Sequence, residues 1–228
     1  MIRRLLVTIL AATSLAVLFL PRNSQAAEPY LASAEVEIVP ANSNLVVRFG
    51  NALSLQDDLL AIGTLGDATG SFDNSGAVLL YEVNTATGHE WTHTETIAPN
   101  ALGATDYFHI PLLHGDWLFV GAPGDDDGGH DVGKVFLFHR NEGGTNNWGF
   151  VKDMQAPTLG LDSAFGASLA ADGDTLVVGA PEYDLDSGRV YVFGQNQGGT
   201  DNWGHVVTLA SSSGSTDGEF GADVDIDG

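Results

Sequence analysis

The chain has 228 residues, with 8 basic and 30 acidic side chains, a formal net charge of −22 and no cysteine. Disulfide staples and thiolate metal sites are thereby excluded, and so large an acidic excess argues against nucleic acid or an anionic membrane as partner. Glycine is abundant, at 29 residues, and with Asp, Ser, Thr and Asn it points to turns between short elements rather than to long helices.

Arg3 and Arg4 precede an uncharged apolar run from Leu5 to Leu20, followed by Pro21, Arg22 and the small-residue pattern Ser24-Gln25-Ala26. This is the build of a secretory signal peptide over residues 1–26. A run of 16 residues is short for a membrane span of about 20. Helix is therefore expected to be nearly confined to residues 5–20, with cleavage before Ala27 or Glu28 and no membrane span afterwards. Removal of Arg3, Arg4 and Arg22 leaves 5 basic residues (8 less 3) against 30 acidic ones, a net charge of −25. The expected location is secreted, either extracellular or at the cell surface, with the periplasm as an alternative.

After this leader the sequence repeats itself. Residues 27–48 end in AEVEIVPANSNLVVRFG, with Ile38 11 residues before Phe49, as Leu209 is before Phe220. They are expected to supply the leading strand of a split blade. Phe49, Tyr107 and Phe165 lie 58 residues apart, each 14 residues before a glycine: Gly63, Gly121 and Gly179. Next come Gly76, Gly133 and Gly188, each opening an alternating apolar run (GAVLLYEV, GKVFLFHR, GRVYVFGQ). Trp91, Trp148 and Trp203 then open a fourth run, twice after a nearly identical turn, GGTNNWG and GGTDNWG. Period-two alternation bounded by Gly, Asn and Asp predicts four strands per copy.

The copies span 49–106, 107–164 and 165–219, and a fourth begins at 220–228. A period near 50 residues signals a propeller or array. The fold class is all-β, a β-propeller of four-stranded antiparallel blades, incomplete at about three and a half repeats. The second strand is expected nearest the centre, where Gly179 and Ala180 permit close approach, with Phe193 and Trp203 between blades. Closing such a ring needs missing blades from a longer protein, the preferred reading, or self-association.

The residues Phe165-Gly166, Gly179-Ala180-Pro181 and Gly188-Arg189-Val190-Tyr191-Val192-Phe193 resemble the FG-GAP repeat, the unit of the integrin α-subunit propeller. The GGTNNWG segments are similar to the bacterial secreted branch of these repeats. The first copy has Gly63-Thr64-Leu65 in place of GAP, and the second has Tyr107-Phe108 in place of FG. The resemblance implies an extracellular recognition or adhesion module, with calcium as its candidate ion.

Integrin-type repeats commonly place a DxDxDG calcium loop between the first two strands. Here Ala170-Ala171-Asp172-Gly173-Asp174 is too short for it, and Asp223 and Asp225 of the terminal DVDIDG align with a strand. The better candidate follows the second GAP, where Asp125, Asp127 and Asp131 surround Gly128 and Gly129. Hard oxygen ligands on a curling backbone suit calcium. The third copy offers Asp184 and Asp186 beside Glu182, and the first Asp67 and Asp73. The competing reading is a solvated acidic turn with Asp side chains capping amides, part of its charge neutralised by Lys134.

The seven histidines fall at no metal spacing, apart from His89 and His93 across a turn. The sequence carries no GxSxG, HExxH or phosphate-cradling glycine loop, so no enzyme is expected. The leading reading is a recognition or adhesion module for a protein or glycan ligand. The alternatives are a structural or surface-array propeller within a larger protein and, last, a secreted hydrolase or lyase.

Overall fold

The computed structural model describes residues 6–10, 15–19, 37–40, 47–65, 75–84, 90–98, 106–127, 129–158, 160–212 and 218–228. The Ser24-Gln25-Ala26 site, Asp67, Asp73, His89 and Gly128 lie outside them. The apolar run expected as helix instead forms β1 (Leu6–Leu10) and β2 (Leu15–Phe19), an antiparallel pair with Leu6 opposite Phe19. Its β-branched content (Val7, Thr8, Ile9, Val17) suits extended backbone better than helix. The short β3 (Glu37–Ile38) pairs with β2, and Ile38 packs against the following sheet.

Three four-stranded antiparallel sheets follow, each a simple meander. The first holds β4 (Leu53–Gln56), β5 (Leu59–Thr64), β6 (Ala77–Val83) and β7 (Trp91–Ile97). The second holds β8 (Ile110–His114), β9 (Trp117–Ala122), β10 (Lys134–Arg140) and β11 (Trp148–Met154). The third holds β12 (Ser168–Asp172), β13 (Thr175–Ala180), β14 (Arg189–Gly194) and β15 (Gly204–Ala210). Between β13 and β14 the chain makes one tight turn, in which Asp184, Leu185 and Asp186 have φ of 54°, 56° and 61°. This is the arrangement of an incomplete β-propeller.

The internal repeat extends to fine detail. Each third strand slips register against the fourth at one equivalent place: Leu80/Tyr81, Leu137/Phe138 and Val192/Phe193. Such a bulge strengthens the local twist, and the twist lets successive sheets stack. The middle strands β5 and β9 are buried along their whole length, as strands covered on both faces must be. One apolar core fills the junction of the first and second sheets, with Phe108, Phe136, Phe138 and Trp148. Another fills the junction of the second and third, with Phe119, Phe165, Phe193 and Trp203, where the sequence expected the last two.

The first strands, not the second, adjoin one another: β4 packs on β8 and β8 on β12. The glycines of the second strand serve a different approach. A Cβ on Gly63, Gly121 or Gly179 would meet the carbonyl oxygen of His109, Gly166 or Gly221 at 1.8, 2.0 and 2.0 Å. Each glycine thus receives the FG turn of the next copy. This corrects the reading of copy two, because Phe108-His109, not Tyr107-Phe108, stands in the FG position. The residue before each Phe has positive φ, namely Arg48 (50°), Tyr107 (57°), Ala164 (52°) and Glu219 (43°). Phe108 is 13 residues before Gly121, so a one-residue deletion hides in copy two.

In the other copies glycine completes a tight turn at φ of 81° to 96°, and the amides of Asn51, Ala167 and Ala222 donate back to Arg48, Ala164 and Glu219. His109 satisfies the corresponding carbonyl differently. Its Nδ1–H donates to Tyr107 O at 2.6 Å.

A second seam runs along the opposite ends of the first strands. Gln56 and the backbone of Gly115 exchange two hydrogen bonds (3.0 and 2.7 Å). One step on, His114 Nε2 donates to Gly173 O (2.7 Å), and next Gly228 N donates to Asp172 Oδ2 (3.0 Å). Residues 220–228 therefore hold, against the third sheet, the position that each FG strand holds against the sheet before it. The parallel bridge of Gly188 to Phe220 and the bond from Ser168 Oγ to Gly221 O fix them there.

Candidate functional site

In a meander, the connection after the second strand and the link to the next sheet leave from the same end. That end gathers the acidic residues of the second and third copies. Asp125 is 3% exposed, and its Oδ1 accepts the amide of Asp127 at 3.0 Å, closing a local turn. Lys134, at the start of β10, reaches back under this turn. Its ammonium lies 3.3 Å from Asp125, 2.6 Å from Asp127 and 3.3 Å from Asp153 on β11.

Burial pushes the Asp125 carboxyl up, opposed by the Asp127 amide and the Lys134 charge. Burial acts to lower Lys134, but the hydrogen bond to Asp127 and the Asp125 charge outweigh it and the net shift is upward. The lysine therefore stays charged.

The sequence candidates for a metal are thus divided among three places. Asp125 and Asp127 come together around Lys134. Asp131 turns toward His130, whose Nδ1 is 2.9 Å from Asp131 Oδ2 and 2.7 Å from Asp162 Oδ1. Among the described residues His130, Asp131 and Asp162 form the group whose donor atoms lie within 4.8 Å of one another. The bond to Asp162, then the charge of Asp131, pushes the exposed His130 up. Asp184 and Asp186 sit in the next sheet's turn. There burial, then the charges of Asp186, Asp131, Asp162 and Glu219, push Glu182 up.

Beside Lys134 a cleft of about 510 Å³ opens between the first and second sheets. Glu95, Thr96 and Ile97 of β7 form one wall. The opposite side carries Phe136, Phe138, Trp148 and Phe150, with Asp125, Asp127 and Asp153 around Lys134. Trp148 N donates to Glu95 Oε2 at 3.1 Å and ties the walls together.

Phe136, Phe138 and Trp148 are buried, whereas Phe150 is 57% exposed. The sequence marks Trp148 only as the opening of a strand and does not single out Phe136, Phe138, Phe150, Glu95 or Asp153. Its one available signal was the third copy, where Tyr183 follows GAP as Asp125 does in the second. Tyr183, partly buried, packs against the core between the second and third sheets, with Arg189, the counterpart of Lys134, stacked over its ring at 4.0 Å.

Residues 148–193 match the FG-GAP repeat, from the fourth strand of one sheet through the third strand of the next. This stretch of the chain carries an FG-GAP repeat. The matched unit straddles the second and third sheets and includes the Phe165-Gly166 turn, which meets Gly121 at their junction. FG-GAP repeats are generally non-catalytic recognition units and typically extracellular. No curated protein matches the chain. Among the described residues no helix is long and apolar enough to cross a membrane.

Proposed function

We propose that this FG-GAP protein is a secreted recognition module that binds an extracellular protein or glycan through the acidic end of its sheets. The observation that carries the reading is the cleft between the first and second sheets. It combines buried aromatic surface with convergent charged groups, as binding sites do, on a repeat scaffold. The Arg3-Arg4 leader and its apolar run support export.

Calcium belongs to this reading as a stabiliser of the acidic end. Asp184 and Asp186 are its better ligands, because Asp125 and Asp127 already share Lys134 and Asp131 is paired with His130.

The test is fractionation of expressing cells, N-terminal sequencing of the exported chain, and binding of that chain to protein and glycan surfaces with calcium or with chelator. The expected result is a mature N-terminus at Ala27 or Glu28 and saturable binding. A cytoplasmic protein retaining Met1 overturns the reading.

A further inference from the structure

We propose that the cleft between the first and second sheets binds an organic cation with an apolar body, such as an arylalkyl ammonium or the side chain of an arginine. The inference deepens the recognition reading and rests on it.

Three features of the cleft select this chemistry. The first is charge. Among the described lining residues, Glu95, Asp125, Asp127 and Asp153 set four carboxylates against Lys134, a net charge of −3 when all are ionised, and the Arg140 guanidinium over the Trp148 ring at 5.1 Å offsets part of it. Lys134 is shared by three of them. Among the described residues Glu95 on the facing wall has no lysine partner, and the side chain of Asp153 is 46% exposed, so both have lone pairs for an incoming donor. Anions are repelled by this arrangement.

The second feature is the floor. Phe136 and Phe138 are buried beneath Phe150, which lies 6.3 and 5.8 Å from them, ring centre to ring centre. Aromatic faces attract cations and accept apolar surface at once. No histidine or cysteine lines the cleft, so soft-metal chemistry has no donors among these residues.

The third is the junction one step along the chain. There the protein fills the corresponding place itself, with the Tyr183 ring and the Arg189 guanidinium stacked on it. In the second copy an aspartate replaces the tyrosine. The exchange removes the aromatic plug and leaves a carboxylate, 3% exposed, held by one lysine. A ligand with an apolar body restores to this junction the ring that the other has built in, and the carboxylate left in its place favours a cationic one.

The experiment titrates the full chain with phenethylammonium at neutral pH and low salt, followed by calorimetry and tryptophan fluorescence. The neutral 2-phenylethanol and the anionic 3-phenylpropionate are run alongside. Millimolar binding of the ammonium alone is expected. Glu95→Gln/Asp153→Asn should weaken it by about threefold or more, the range of exposed charge pairs. Glutamine at 95 retains an acceptor for Trp148 N, and position 153 is half exposed, so the fold is kept and a thermal melt verifies it. Phe150→Ala, at an exposed ring, should weaken binding independently.

Binding of the blocked tripeptide Ac-Ala-Arg-Ala-amide as well would assign the site to a basic side chain of a partner protein. Binding of the amine alone would assign it to a small molecule. Equal binding of the alcohol, no binding of either cation, or affinity unchanged in both variants overturns the proposal. Such a failure leaves export and surface binding, the tests of the recognition reading, unaffected.

Discussion

Gly121 lies against the carbonyl of Gly166: a Cβ built on it would stand 2.0 Å from that oxygen. The contact joins the second strand of one sheet to the FG turn of the next. Gly63 with His109 and Gly179 with Gly221 repeat it. The glycine of the GAP motif and the glycine of the FG motif are therefore two halves of one inter-sheet joint.

The joint predicts a large effect from a small change. Gly121→Ala should destabilise the chain by about 1–3 kcal/mol, because the obstacle is backbone that moves only with its sheet. Gly115→Ala is the control. A Cβ there meets nothing within 4 Å, and only its φ of +60° opposes the change, so the loss should be nearer 1 kcal/mol. Urea unfolding of both variants checks this, and equal losses would show that packing at Gly121 is not the cause.

Lys134 is held by carboxylates at 2.6 to 3.3 Å, one of them the buried Asp125. Lys134→Met should cost about 3–5 kcal/mol, since it strands a buried charge. Lys134→Met/Asp125→Asn should recover part of that loss, because a neutral amide is cheaper to bury. Denaturant midpoints for the two variants decide the matter. A double variant no more stable than the single one would show that the ion pair is not the source of the cost.

Two histidines should titrate in opposite directions. Burial, with Arg48 nearby, pushes His109 down, partly opposed by its bond to the Tyr107 carbonyl. A depressed folded value means that protons bind the unfolded chain more readily. Stability from His109 is therefore full above about pH 6.5 and falls as pH drops from there toward the folded value. His130 is pushed up by Asp162 and Asp131. Its contribution is full below about pH 6.5 and is lost as pH rises through the folded value. Histidine resonances followed by NMR should show His130 titrating above His109, with Asp162→Asn lowering only the former.

The sequence alone determined the period, the four strands per copy and the all-β class, because these rest on local signals. Alternation such as Gly188-Arg189-Val190-Tyr191-Val192-Phe193 states which faces are buried, and the flanking glycines state where the strand starts. It also marked the acidic turn around Asp125. The register of the second copy was not legible: Tyr107 and Phe108 are both aromatic, and the meeting of His109 with Gly63 and the positive φ of Tyr107 distinguish them. The same holds for the order of strands about the centre, which depends on packing between copies.

At the site, the sequence offered a row of carboxylates with Lys134 as a partial neutraliser. Tertiary structure decided that Asp125, Asp127 and Asp153 share that lysine while Asp131 faces His130. It also brought Glu95 to Trp148 across 53 residues and so made a cleft from side chains that read as ordinary core and surface. Strand formation is written in neighbouring residues. A binding site between sheets depends on which residues meet across the junction, and here Asp125 stands where the other junction has Tyr183.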